Sequence, residues 1–245
     1  MKILRLTNSS DIHPGVTPEQ RSPAVCERVI SEALGEPVET VVKTMWPTPA
    51  FSGVLGRWLE QYEPDVVFIR LSSFWVAYES VPLRIQRKLG RAGTPIAAAG
   101  LRLGDRPWLV ERGVYKGGRK LVVRTIGGDT HFTPAEVGAV FDAVFRNIAA
   151  KESILPVVRG TNLLLNSAGT KSGMQRTKQR VAALNHETEA ACIRHHVTFF
   201  PEPPAEALSD SRLGDELHDS PEAHERLGID DANAILEAWR AWKGP

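Results

Sequence analysis

The feature that most constrains this chain is an alternation. Short apolar runs rich in β-branched residues recur along it, separated by longer stretches with helical periodicity. Five runs stand out: Ile3 to Leu6, Val38 to Val42, Val66 to Leu71, Ile154 to Val158 and Val197 to Phe200. Several lack any polar alternation and so have no solvent face, the pattern of strands covered on both sides. Between them lie helix candidates at Pro18 to Leu34, Gly53 to Tyr62, Val81 to Gly90, Pro134 to Ala150, Gln175 to His195 and Asp230 to Trp242. Strand and helix in turn imply an α/β fold, a three-layer, doubly wound parallel sheet of about five strands.

The helix ends carry local signals. Thr17-Pro18 offers a cap followed by proline, with Gln20 at the capping-box offset, and Thr133-Pro134 with Glu136 repeats the pattern. Gly35 and Gly90 read as stops. A chain of 245 residues suits one hydrophobic core, so a single domain over 1–245 is expected. Residues 95–132 break the rhythm and read as an insertion. There, Gly117-Gly118 between Val114-Tyr115 and Leu121 to Val123 has the look of a β-hairpin. Such an excursion serves as a lid, a specificity loop or a dimer contact, or is a surface hairpin with no role.

Composition narrows the partners. The formal net charge is +1, with both signs interspersed, so no field gathers nucleic acid or an anionic membrane. A small, neutral or weakly charged ligand fits better, and a homo-oligomer is compatible with the composition. No apolar run approaches the roughly 18 residues of a membrane span. Met1 leads straight into a strand-like segment instead of a signal sequence, and the chain reads as cytoplasmic. Cys26 and Cys192 each fall inside a helix candidate, which argues against a disulfide framework or a cysteine metal site.

In a doubly wound sheet, ligands bind outside the carboxyl ends of the strands, and the residues there carry the chemistry. After the first strand comes Thr7-Asn8-Ser9-Ser10-Asp11, two adjacent hydroxyls that suit an ordinary turn as well as a nucleophile. Near the other end, Gly214-Asp215-Glu216-Leu217-His218 precedes the last helix. An Asp three residues before a His lets the carboxylate accept the Nδ1 proton and leaves Nε2 free as a base, although this spacing also arises without function.

With these two blocks at these places, the chain resembles the SGNH/GDSL hydrolases, whose nucleophile block follows the first strand and whose Asp-x-x-His block precedes the last helix. The resemblance implies a flavodoxin-like sheet and a serine esterase that needs no cofactor or metal and acts on a lipid, acetylated-sugar or small acyl ester. It puts Ser9 on the nucleophile, with Ser10 the alternative, and Asp215 and His218 on the acid and base. Gly53, in Phe51-Ser52-Gly53, matches the family's second block, whose glycine amide helps bind the oxyanion; it equally suits a tight turn. The third block departs from the family. Its asparagine is absent, the chain running through Ser72-Ser73-Phe74-Trp75 instead, and Ser72, Ser73 or Asn162 stands as the replacement donor. Phe74 and Trp75, with Trp46 and Phe51, line an acyl or sugar pocket or pack the core.

Two other readings stay open at this point: a catalytically silent binding or assembly protein on the same fold, and a nucleotide or flavin binder, which lacks a phosphate loop here. The histidines do not form a metal site on spacing; His195 and His196 are adjacent on a helix and do not face one another. His13 lies close enough in sequence to Ser9 to line its pocket, while His131 and His224 read as exposed. The basic stretch Lys171 to Arg180 reads as a solvated helix face.

Overall fold

The structure is a computed structural model that describes residues 1–90, 95, 128–162, 171–202 and 218–244. Five strands form one sheet: β1 (Lys2–Thr7), β2 (Glu39–Thr44), β3 (Val66–Arg70), β4 (Leu155–Arg159) and β5 (Thr198–Phe200). Their order is β2-β1-β3-β4-β5 and every pair is parallel. All carboxyl ends therefore line one edge of the sheet, the edge where such folds bind ligands. The expected fold class and each of the five strands are observed, with ends shifted by a residue or two.

The helices are α1 (Ser22–Leu34), α2 (Phe51–Tyr62), α3 (Phe74–Ala77), α4 (Val81–Leu89), α5 (Pro134–Ala149), α6 (Lys171–Arg194) and α7 (Pro221–Lys243). Two short 3-10 turns, Ser9–Ile12 and Pro18–Gln20, lie between β1 and α1. The sheet register places Ile3, Val66 and Leu155 side by side on one face, with Phe68 and Val157 a step further along. That face packs against Cys26 and Ile30 of α1 and Ala232, Ile235 and Leu236 of α7, all buried. Each large aliphatic or aromatic side chain removed from water there contributes about 1.5–3 kcal/mol.

Four helices begin elsewhere than the periodicity indicates: α2 at Phe51 instead of Gly53, α6 at Lys171 instead of Gln175, and α1 and α7 for reasons the local sequence supplies. The helix expected over Pro18 to Leu34 is two pieces, broken at Arg21, whose ψ of 147° is extended. Proline is tolerated only in the first turn of a helix, so Pro23 forces a fresh start at Ser22. Thr17 correspondingly bonds the Gln20 side chain at 3.1 Å and caps no backbone amide. The last helix starts at Pro221, more than two turns before Asp230. Ser220 caps it, accepting the Ala223 amide at 3.3 Å, and Pro221 and Glu222 occupy the first turn.

Gly228 sits inside that added stretch for a packing reason. A Cβ there would stand 2.6 Å from Val25 Cβ and 2.8 Å from the Ser22 carbonyl oxygen, so only glycine lets α7 approach α1 this closely. Gly35 ends α1 in the left-handed region, with φ 67°, and returns its amide to the Ser31 carbonyl.

The chain divides into two compact units, Met1–Ser72 with Ala135–Asn162 and Leu184–Pro245, and Ser73–Pro134 with Leu163–Ala183. The first holds the entire sheet, α1, α2 and α7. Within the second, Ser80 and Asp129 exchange backbone hydrogen bonds of 2.9 and 3.1 Å, and Gly128 fits against Glu79 where a Cβ would clash at 2.7 Å. Glu79 also pairs with Arg180 at 3.1 Å. The hairpin expected around Gly117-Gly118, and most of the 95–132 insertion, lie outside the described residues. Among the described residues no helix is long and apolar enough to cross a membrane.

Candidate active site

The carboxyl edge of the sheet is built from the residues that follow each strand. Beyond Thr7 the chain turns into the 3-10 segment Ser9–Ile12, which exposes Ser9 and buries Asp11. Ahead of α7, His218 is held against that segment, with Ser9 Oγ and His218 Nε2 3.3 Å apart. These two side chains, 209 residues apart in sequence, meet just after β1 and just before α7. The 3.3 Å separation is within hydrogen-bond reach and slightly long, as such contacts often are before a substrate arrives. Asp215 lies outside the described residues. Ser10 shares the 3-10 segment with Ser9.

His218 has a second neighbour in the same turn. The His13 ring stacks on the His218 ring, with centroids 3.9 Å apart and an interplanar angle of 25°. His13 Nδ1 accepts the Gly15 amide at 3.1 Å, and the His13 carbonyl accepts the Val16 amide at 3.3 Å. The expectation that His13 sits near Ser9 is met in this form.

Beneath the turn lies a buried set of charges that periodicity did not reveal. Asp11 Oδ2 accepts from Arg5 Nε and from the Thr7 hydroxyl, each at 2.7 Å, and its Oδ1 accepts from the Ser22 hydroxyl at 2.6 Å. Arg5 also donates to Asp231 at 2.7 Å and to Ser22 at 3.1 Å. Arg159 donates to Asp231 at 3.3 Å and to the Pro201 and Asp230 carbonyls, while Arg70 pairs with Glu202 at 2.8 Å. Three arginines from three adjacent strands thus meet three carboxylates. Burial alone would raise the Asp11 carboxyl, but Arg5, Arg70 and the hydroxyls outweigh it and hold it well below the usual carboxylate range. For Glu202 the balance is reversed: burial pushes its carboxyl up and Arg70 offsets this only in part. The available signal was an arginine near the end of three otherwise apolar strands, in Leu4-Arg5-Leu6, Ile69-Arg70-Leu71 and Val158-Arg159.

His224, expected on the surface, is fully buried. It lies one turn into α7, and its Nδ1 accepts the Ser22 amide at 3.2 Å, so the close helix crossing seals it in. His131 is half-buried and stacks on Phe74 at 5.4 Å. His195 meets Asp142 at 3.1 Å. Both cysteines are buried and free, and burial pushes each thiol up to about 12. Among the described residues, no group of histidine, cysteine and acidic side chains has the arrangement of a metal site.

The remaining expected residues occupy separate places. Gly53 is third in α2, among the amides a helix leaves without an intrahelical acceptor, and no neighbour would crowd a Cβ there. Ser72 follows β3 and is buried. Asn162 follows β4, next to Thr161, whose backbone is clamped by Asn185 through bonds of 3.0 and 2.8 Å. In the second unit, Trp75 is 1 % exposed and packs as a core residue, while Phe74 stacks on Tyr78 at 4.6 Å. Trp46, after β2, is 42 % exposed.

Against solved structures, the chain matches the psychrotrophic esterase EstA from Pseudoalteromonas sp. at 13% identity, covering 97% of each chain with a TM-score of 0.57. TesA matches at 14% identity over 99% of both chains, TM-score 0.59. Est24, a carbohydrate acetylesterase from Sinorhizobium meliloti, matches at 13% identity over 96% of this chain and 98% of that one, TM-score 0.56. The fold is that of the SGNH/GDSL-type esterases. The likeness lies in the fold, for no family model and no curated protein matches the sequence.

Proposed function

We propose that this protein is a serine hydrolase of carboxylic esters acting through Ser9, His218 and Asp215. The observation that carries the reading is the 3.3 Å approach of Ser9 Oγ to His218 Nε2 at the carboxyl edge of an esterase-type sheet. In this reading Ser9 Oγ attacks the ester carbonyl while its proton passes to His218 Nε2. The tetrahedral intermediate collapses, the alcohol leaves with that proton, and an acyl-serine remains. Water then repeats the sequence, His218 taking its proton and returning it to Ser9 as the acid is released.

Asp215 is assigned the Nδ1 side of His218. Amides of the Ser9 turn and of Gly53 are assigned to the oxyanion, with Ser72 or Asn162 as the side-chain donor where the family has asparagine. The substrate class is small acyl esters, acetylated sugars among them, as for the carbohydrate acetylesterase of the same fold. The chemistry requires neither metal nor cofactor, and two free, buried thiols suit a reducing cytoplasm.

The test is hydrolysis of a short-chain p-nitrophenyl ester by the wild type and by Ser9→Ala, Ser10→Ala and His218→Ala. Wild type turns over, Ser9→Ala and His218→Ala lose roughly a thousandfold or more in kcat, and Ser10→Ala keeps most of it. Equal inertness of all four proteins removes the hydrolase reading and leaves a binding protein on this fold. The missing third-block asparagine is the observation that favours that alternative.

A further inference from the structure

We infer that His13 is a positioning residue for the base: its ring, laid face to face on the His218 imidazole, holds that ring with Nε2 toward Ser9. The inference rests on the hydrolase reading of Ser9 and His218 and adds a third group to it.

The geometry comes from one short turn. Ser9, Asp11 and His13 alternate along it. Ser9 reaches His218 Nε2 at 3.3 Å, and His13 covers the face of the same ring at 3.9 Å between centroids. Between them Asp11 is tied down by Arg5, Thr7 and Ser22 in bonds of 2.6–2.7 Å. An imidazole that is only hydrogen-bonded at its edges can still tilt about its Cβ–Cγ axis. A ring stacked within van der Waals contact at 25° removes that freedom before substrate binds.

The backbone engages one ring nitrogen of His13. Its Nδ1 accepts the Gly15 amide at 3.1 Å, which requires a lone pair there and leaves the ring proton on Nε2. A second proton on His13 would need Nδ1 and would cost that bond. A neutral π face is therefore presented to His218. When Ser9 attacks, His218 becomes an imidazolium, and a charge forming over a neutral aromatic face is stabilised in the transition state more than in the ground state. The predicted signature is a loss in kcat with KM unchanged.

The experiment uses the full chain with His13→Ala, His13→Leu and His13→Phe, assayed for p-nitrophenyl acetate turnover and for the rate of covalent labelling at Ser9 by a fluorophosphonate. Thermal midpoints check that each variant is folded. His13→Ala and His13→Leu lose about three- to tenfold in kcat with KM within about twofold, and labelling slows in parallel. His13→Phe, which restores an aromatic face without a titrating group, recovers most of the loss. Leucine fills volume without a π face, so recovery by Leu as well as Phe overturns the inference in favour of simple packing. Wild-type labelling with unchanged rates in all three variants overturns it and leaves the hydrolase reading intact. A wild type that neither turns over nor labels removes the hydrolase reading and this inference with it.

Discussion

Along the face of the sheet that α1 and α7 cover, the amino-terminal half and the carboxyl-terminal half are built from opposite materials. The lower half is Ile3, Val66, Phe68, Leu155 and Val157 against Cys26, Ile30, Ala232 and Ile235, with no charge among them. Two residues further along the same strands, the same face holds Arg5, Arg70 and Arg159 with Asp11, Asp231 and Glu202. The two halves touch where the Arg5 guanidinium lies 5.0 Å over the Phe68 ring. Apolar burial is non-directional and supplies the free energy of folding. Buried ion pairs roughly break even against their own desolvation, but they fix distances and angles. The charged half therefore holds the turn that carries Ser9, and the apolar half holds the sheet together.

The sharpest way to break this comparison uses two residues one turn apart on α7. Asp231 serves Arg5 at 2.7 Å and Arg159 at 3.3 Å, and stands 3.7 Å from Arg70. Asp231→Ala leaves three buried arginines short of a carboxylate, at a cost of about 3–5 kcal/mol. Ile235→Ala empties part of the apolar half at a similar cost, about 2–5 kcal/mol. The two separate in activity. Ester turnover, measured at a temperature where both variants are folded, drops in Asp231→Ala because Arg5 also carries Asp11, and holds in Ile235→Ala. An equal drop in both erases the distinction between the halves.

The two halves were also unequally legible in the sequence. Val66 to Leu71 and Ile3 to Leu6 read as buried strands because an unbroken apolar run has no other home, and the sheet follows from them. The arginines inside those runs did not register, since hydrophobic periodicity scores Arg5 as an interruption and cannot name Asp231, which lies 226 residues away. The first turns of α7 were missed for a related reason. Gly228 reads as a helix breaker, and only the 2.6 Å approach of Val25 explains why a glycine belongs there. His224 was misplaced with it, because a helix that begins late puts that residue on a loop. The two blocks around Ser9 and His218 were found through their resemblance to a family pattern, whereas the His13 stack depends on ring geometry that spacing does not encode.

A smaller perturbation tests the joint between α1 and α7. Gly228→Ala pushes its methyl into Val25 and the Ser22 carbonyl, which overpacks the crossing and costs about 1–3 kcal/mol. Because Ser22 donates its hydroxyl to Asp11 and its amide to His224, relief of the clash moves the charged half first. Turnover is expected to fall by more than the melting midpoint alone accounts for. Normal turnover in a merely less stable variant would show that the site tolerates a shift of α7.

Acid gives the mildest test, and its sign follows from two groups in the charged half. Burial lowers His224 from its ordinary 6.5, with Asp11 and Asp219 pulling upward and Arg70 and Arg5 downward. Its Nδ1 already accepts the Ser22 amide, so the added proton has to displace that bond. The unfolded chain thus binds this proton more readily than the folded one. The contribution of His224 is complete above about 6.5 and is lost as pH falls toward its lower folded value. Asp11 follows in a second window. Its carboxyl is held down by Arg5, so its contribution persists to about pH 4 and is lost below. Glu202 acts in the opposite direction, since its raised carboxyl favours folding while protonated and weighs against it as pH rises. His224→Asn, which keeps an acceptor for the Ser22 amide, isolates the first window from both carboxylates. Between pH 7 and 5.5 the urea midpoint is expected to fall further in the wild type than in the variant, and the fall below about pH 4 is common to both. A difference between wild type and variant that stays the same at pH 7 and 5.5 would mean that His224 does not oppose protonation, and the buried imidazole would then belong with the apolar half of the face.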